Sequence, residues 1–354
     1  MAMPMLIVVS CKKDSSARTF TAPAVTTSPL TNITNSGATT GGTILTDGNA
    51  GITHSGIVWS TFNTTPTLTD SVLPALTSGG SFTTSLSGLD FNAVYYIRAF
   101  ATNSVGTGYG EVVRLTTTND TSKVRFMYNG REVTYGVIIS PVTGKKWLDR
   151  NLGATQAATA SDDYKAYGDL FQWGRPADGH QSISWTASNT GTPIHGTTMV
   201  LATSDTPAHS NYIINTYSNA SQWDWRSDNN RNRWAVRPQG PCPAGWHVPT
   251  LNEWLAEVSQ ATSAQGTASS GGITNSKTGY SQLKLTCAGL RGVDGPGSVN
   301  FYQVGRAGHY WSTTDQINYD GYTNVFVIEF GPDYAQRWDE PKSGGLSVRC
   351  IVNE

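Results

Sequence analysis

The chain has 354 residues, enough for two or three domains with cores of their own. Charged residues make up 14%, against roughly 25% in an average soluble protein, and Gly, Ser, Thr and Asn fill the deficit, as in secreted or surface β-rich proteins. A net charge of -1 offers no field for nucleic acid or an anionic membrane surface, and no run approaches the ~20 apolar residues of a transmembrane helix.

The first element is the short apolar run Met5-Leu6-Ile7-Val8-Val9, ending in Ser10-Cys11. Val8, Val9, Ser10 and Cys11 resemble, residue by residue, a bacterial lipobox, in which the signal peptide is cut before the cysteine and its thiol is acylated. Lys12-Lys13-Asp14-Ser15-Ser16 then supplies a polar tether. The departure is upstream, where no Lys or Arg precedes a short h-region. The resemblance implies lipidation at Cys11 and an exported protein anchored at the outer membrane or cell surface, with residues 1–20 as signal and tether.

Residues 21–118 read as short strands punctuated by Gly, Asn, Asp and Pro, the pattern of a β-sandwich. Within them, Leu86-Ser87-Gly88-Leu89-Asp90-Phe91, followed by Val94-Tyr95-Tyr96-Ile97-Arg98-Ala99-Phe100-Ala101 and Asn103, resembles a fibronectin type III domain. Leu89 and Tyr95 match the tyrosine corner, Ala101, Asn103 and Gly106 the strand end and turn, while Phe91 stands where that family usually has proline. Such a module implies a spacer without chemistry of its own.

Asn119-Asp120-Thr121-Ser122 is a polar joint, and all tryptophans except Trp59 lie beyond it, so a second domain is predicted over residues 123–354. It opens with a hairpin, Val137 to Leu148, turning at Thr143-Gly144. Asp162 to Gly174 is predicted as a short helix with Tyr164, Tyr167 and Phe171 as core positions. Residues 175–238 have no clear period and read as a functional insertion or a set of packed surface loops. Asp224, Asp228, Asn229 and Asn230 carry oxygens that calcium would accept, but not at the spacing of a calcium loop. At Cys242-Pro243-Ala244-Gly245-Trp246-His247-Val248-Pro249-Thr250, the Thr250/Glu253 pair is a capping box, and a helix of about three turns is predicted after it. His247 has no second ligand at a workable spacing and reads as a core or capping histidine. Leu283 to Cys287 looks strand-like.

The last fifty residues are predicted as a small antiparallel sheet with strands His309–Ser312, Val325–Phe330 and Leu346–Ile351, carrying loops Thr314–Asn324 and Gly331–Gly345. Those loops hold Tyr, Asn, Asp, Arg and Trp where solubility alone would favour Lys and Glu. Such residues make recognition surfaces, because the aromatics give contact area at little rotamer cost.

Tyr167 to Arg175, Cys242 to Trp254, Leu290-Arg291-Gly292, Gly308 to Thr314 and Gly345 to Ile351 together resemble the FISUMP, or major paralogous, domain of surface lipoproteins. That resemblance implies an α+β C-type-lectin-like fold following the all-β sandwich. The fold so implied brings the start of the predicted helix and the last strand together, and an oxidising compartment then allows Cys242 to pair with Cys350, leaving Cys287 free. The closing fifty residues are similar to variable proteins diversified by retroelements, in which solvent-facing positions on a rigid sheet bind ligand. The matching positions are Ala307, His309, Asp315, Asn318, Tyr319, Asp320, Tyr322, Asn324, Asp333, Tyr334, Arg337 and Trp338.

No HExxH, GxSxG, P-loop or Cys/His zinc spacing occurs, and of the C-terminal cysteine pair used by formylglycine-generating relatives only Cys350 is in place. Glu340-Pro341-Lys342 is similar to the Glu-Pro-Asn triplet of calcium lectins but stands too close to Cys350 for the family position. The expected role is therefore binding of a protein or glycan ligand rather than catalysis, with no catalytic residue, metal or cofactor assigned.

Overall fold

The computed structural model describes residues 18–75, 80–215, 223–228, 233–236, 239–258, 272–293, 298–317 and 323–353. The chain divides into two compact units, one ending at Asp120 and the other starting at Thr121. Strands dominate both, and among the described residues helices are short, so the protein is β-rich and multidomain.

In the first unit one sheet orders Ala24–Thr27, Ala38–Thr46 and Gly80–Leu86. The other orders Ser71–Ala75, His54–Ser60, Val94–Thr102 and Thr107–Tyr109, with Val113–Thr116 also paired to Val94–Thr102. Alternation along Val94–Thr102 sends Tyr95, Ile97, Ala99 and Ala101 into the core, where they join Val25, Ile44, Ile57, Phe82 and Leu115. The sheets approach closely at Gly42, where an added Cβ would stand 2.5 Å from that of Ala99. Tyr95 Oη accepts a hydrogen bond from the Asp90 N–H at 2.9 Å, pinning the corner before its strand. Asn103 donates to the Thr21 and Asp47 carbonyls at 2.6 and 2.7 Å while its own oxygen accepts the Val105 and Gly106 N–H groups. That side chain fixes three loop segments at once.

The second unit holds three larger sheets. One orders Trp246–His247, Ile351–Val352, Lys146–Leu148, Arg131–Ile139 and Lys123–Tyr128. Another orders Phe171–Gln172, Gly345–Leu346, Leu290–Val293 and Val299–Tyr302, and the third Gly308–Ile317, Thr323–Phe330 and Ala335–Pro341. The Val137–Leu148 hairpin forms with Ile139 opposite Lys146, as its turn residues require. Two aromatic cores cover opposite faces of the third sheet: Trp173, Trp311, Val325 and Val327 on one side, Trp254, Tyr310, Ile328 and Phe330 on the other. Cys242 and Cys350 form a disulfide with their Cα atoms 5.9 Å apart, and Cys287 is free and buried.

Several local expectations give way to tertiary pairing. The segment from Asp162 to Gly174 is not a helix of that length: only Tyr164–Ala166 turns, as a 3-10 helix capped by Asp163. Gly168 then takes φ +72°, and Phe171–Gln172 leaves to pair with Gly345–Leu346, so Tyr167 and Phe171 are buried by a route other than a helical face. The Thr250/Glu253 capping box is present, but the helix Leu251–Glu257 is nearer two turns than three, because Val258 is extended and pairs with Ile273. His247 serves this cap. It lies 3.0 Å from the Glu253 carboxylate and 2.8 Å from Asn353 Oδ1, and the Glu253 bond raises its pKa despite burial.

Leu283 closes the helix Ser276–Leu283 instead of starting a strand, with Lys284 left-handed at φ 54°. The predicted strand Leu346–Ile351 divides, Leu346 pairing with Phe171 and Ile351 with Trp147 and His247. The third strand of the C-terminal sheet is instead Ala335–Pro341, taken from the segment read as a loop. In the 175–238 region, Ile183–Ala187 pairs with Thr190–Pro193 and Thr197–Thr198 with Tyr212–Ile213, and Tyr212, Ile213 and Trp225 are buried. The described parts of that region thus pair locally and pack at Tyr212, Ile213 and Trp225, while Ile194, Met199 and Val200 stay exposed.

Candidate functional site

The third sheet decides where recognition residues can stand. Its middle strand, Thr323–Phe330, has a neighbour on each edge and a core on each face. Its outer strand Ala335–Pro341 has one described partner, and on it Gln336, Arg337 and Trp338 are exposed, Ala335 is buried and Glu340 is half-buried.

Of the twelve expected surface positions, four are exposed and lie on or beside this edge: Asp333, Tyr334, Arg337 and Trp338. Trp338 is 52% exposed opposite Val327, and the Arg337 guanidinium lies 5.0 Å from the centre of the Phe326 ring. Tyr334 Oη donates to Glu329 at 2.6 Å and Gln336 donates to the other Glu329 oxygen at 2.9 Å. Burial first, and then this carboxylate, push the Tyr334 phenol up to about 12.

Three positions are buried and present no side chain to solvent. Ala307 sits in the turn before Gly308, its carbonyl taken by the Gly289 N–H. His309 faces inward beside Glu329, with Nε2 2.7 Å from Gln303 Oε1, and burial drops its pKa to about 4, so the ring is neutral. Asn324 donates to Asp339 at 2.5 Å. Asp315 is mostly buried, 3.8 Å from the Lys342 ammonium. Asn318, Tyr319, Asp320 and Tyr322 lie outside the described residues, as does Cys11.

Two features escaped the sequence reading. Lys342 is fully buried, with Nζ 3.8 Å from Asp315, 4.0 Å from Asp224 and 5.0 Å from the Trp173 ring centre. Asp224, weighed above as a calcium oxygen donor, is also bonded by Arg233, and Asp228 by Arg226, so cationic side chains occupy both carboxylates. Asn229 and Asn230 lie outside the described residues. Among the described residues no cluster of three or more His, Cys, Asp or Glu side chains is placed to hold a metal.

The second feature is a cavity of about 230 Å³ beside the exposed edge, lined by Asn215, Trp223, Leu290, Tyr302, Glu340 and Ser343, among others. Glu340 follows Trp338 by two residues and shares its face of the strand. No donor among the described residues reaches the Glu340 carboxyl, and burial, with the charges of Asp339 and Glu329 adding to it, pushes its pKa up to about 7.

A wider cleft of about 910 Å³ lies elsewhere in the unit, lined by Tyr128, Tyr135, Arg150, Asp169 and His195 among others. Its carboxyl, Asp169, is pushed up to about 6 by burial. Unlike Glu340 it is satisfied, accepting from Tyr128 Oη at 2.8 Å and the Ile183 N–H at 3.3 Å.

The Glu340 shift has a measurable consequence. A carboxyl whose pKa is raised on folding favours the folded state while protonated, and that contribution is lost as pH rises through about 7. Glu340→Gln removes the titration, and should be more stable than the wild type at pH 8 by on the order of 2 kcal/mol, allowing for partial exposure. Near pH 4 the two proteins should unfold together. Urea unfolding at both pH values checks this, and equal stability at pH 8 would mean the carboxyl is well solvated.

The fold and site thus define a β-rich, two-unit protein whose disulfide-bonded second unit exposes an aromatic sheet edge. No protein-family model matches the chain, and no curated protein matches it. Among solved structures, the sensor domain of the anti-sigma factor RsgI4 of Pseudobacteroides cellulosolvens is similar to part of it. That match covers 28% of this chain and 98% of the other, with 11% identity and a TM-score of 0.22.

Proposed function

We propose that this protein is a cell-surface ligand-binding lipoprotein. In this reading the second unit is a FISUMP-type, C-type-lectin-like domain and the first a fibronectin type III-like spacer. Support for the spacer comes from the two-sheet strand order and from the Tyr95 bond to the Asp90 N–H, the hydrogen bond of a tyrosine corner. Support for a binding role comes from the edge Gly331–Pro341, where Tyr334, Arg337 and Trp338 are exposed on a sheet whose middle strand packs against a core on each face. The single observation that carries the reading is Trp338, a 52% exposed indole on a stiff support. Large aromatics and arginine are the side chains that most often dominate binding energy, and a preorganised support lowers the ordering cost.

In this reading the ligand is a protein or a glycan, bound at a variable-type C-terminal surface of the kind that retroelements diversify. Cys350 is held in the disulfide with Cys242, and burial pushes the Cys287 thiol up to about 11, which favours binding over thiol chemistry of the formylglycine-generating kind.

Replacing Tyr334, Arg337 and Trp338 together by alanine should lower the melting temperature by no more than about 5 °C, the lost Tyr334 bond to Glu329 included, while weakening ligand binding by more than 2 kcal/mol. Ligands for this comparison come from glycan arrays and displayed surface proteins, each probed with and without chelator. A large fall in melting temperature with binding retained would place recognition elsewhere. The anchor is tested separately: mass spectrometry of membrane fractions should find an acylated Cys11 peptide, and a soluble protein retaining Met1 would end that part of the reading.

A further inference from the structure

From the cavity beside the exposed edge we infer a subsite for a primary ammonium group, held by the Glu340 carboxylate between the aromatic walls of Trp223 and Tyr302. The inference rests on the recognition reading above and names the chemistry selected on the Trp338 and Glu340 side of that edge.

The observations run in one direction. Trp223, Tyr302 and Glu340 line one cavity of about 230 Å³. That is below the range of pockets for drug-sized ligands and large enough for a single side-chain end or one sugar ring. Aromatic faces attract cations through the ring quadrupole, and the attraction grows as the site is desolvated. Glu340 supplies an acceptor with no donor among the described residues, in surroundings made more negative by Asp339 and Glu329. A partly buried carboxylate without a partner is costly, and a bound N–H donor carrying positive charge offsets that cost more fully than a neutral hydroxyl does. The cations close by are engaged elsewhere: Lys342 lies between Asp315 and Asp224, and Arg291 stacks on Tyr212 at 3.9 Å.

Gly292 keeps the cavity open. An added Cβ there would stand 3.1 Å from both the Tyr302 ring and Leu290. The small residue therefore lets Tyr302 lie across its neighbouring strand as one wall of the cavity.

Calorimetric titration of the full chain tests the subsite with Nα-acetyl-lysine methylamide and glucosamine, the two sources of a primary ammonium. Their Nε-acetylated and N-acetylated forms serve as neutral controls. At least one amine should bind saturably, and the tighter of the two identifies a protein or a glycan source. Acetylation and Glu340→Gln should each weaken binding at least tenfold, and Tyr302→Ala or Trp223→Ala several-fold. Glu340→Gln keeps the shape of the side chain, so a folding defect does not confuse the result. Equal binding of the amines and their acetylated forms, equal binding by the Gln variant, or no binding of either amine would overturn the inference. If the Tyr334, Arg337 and Trp338 variant loses its large ligand while Glu340→Gln binds amine like wild type, the recognition reading stands and the ammonium subsite falls.

Discussion

Replacing Arg349 by methionine is expected to destabilise the second unit by about 3 kcal/mol, although the guanidinium touches no exposed surface. Arg349 is 1% exposed and donates to the Leu148, Leu283 and Lys284 carbonyls at 2.7 to 3.0 Å, and twice to Asn151 Oδ1. Two of those carbonyls close the helix Ser276–Leu283, where no intrahelical donor remains for them. Methionine fills much of the volume but leaves three carbonyls and one amide oxygen without their donor, each costing about 1 kcal/mol or more. Relief of the buried charge offsets part of that loss, because burial already lowers the Arg349 pKa. Lysine retains the charge but lacks the planar fork that reaches partners on both sides, so Arg349→Lys should also destabilise, by a smaller amount. Urea unfolding measures both variants. A loss below 1 kcal/mol for methionine would show that water replaces the guanidinium at little cost.

The second large effect is expected at the disulfide. Cys242 and Cys350 close a loop with a sequence separation of 108 residues, and serine at both positions releases that constraint from the unfolded chain. The chain-entropy model puts the loss at roughly 5 kcal/mol, which is on the order of 10 to 20 °C in melting temperature for a unit of this size. The bond also lies inside a core with Trp246, Val248 and Val348, so the serine hydroxyls would be buried among apolar neighbours. Cys287 supplies no substitute, since it is buried and its thiol is held at about 11. Melting the double-serine protein beside the wild type, with and without reductant, gives the answer. Reductant should lower the wild type toward the variant and leave the variant unchanged, and a variant within 1 kcal/mol of wild type would show a unit stable without its cross-link.

The sequence by itself determined the features whose causes lie within a few residues. The Thr250/Glu253 cap needs only a hydroxyl and a carboxylate three positions apart, and both bonds are present. Alternation in Val94–Thr102 needs only period two, and the apolar, β-branched and aromatic run Val325–Phe330 needs only its composition; both segments are strands. Low charge and frequent Gly, Ser and Thr were enough for a β-rich, multidomain chain. The pairing of Cys242 with Cys350 followed from a family likeness rather than from any local pattern.

Only the tertiary structure decided what lies far apart in sequence and close in space. Ala335–Pro341 reads as a loop because Gln336, Arg337, Asp339 and Glu340 show no apolar alternation. It is a strand because Thr323–Phe330 offers it an edge. Asp162–Gly174 has the spacing of a helix, but the pairing of Phe171 with Leu346 outweighs a weak local propensity. His309 and Asn324 carry the polarity of surface residues yet are buried, each bonded through one side-chain nitrogen, to Gln303 and to Asp339, while His309 Nδ1 and Asn324 Oδ1 have no hydrogen-bond partner among the described residues. Glu340 gained its raised pKa and Lys342 its two carboxylates in the same way, from segments more than a hundred residues apart in the case of Asp224. Hydrogen-bond geometry acts within a turn and is legible in sequence, whereas desolvation depends on everything packed around a group and is set only when the chain has folded.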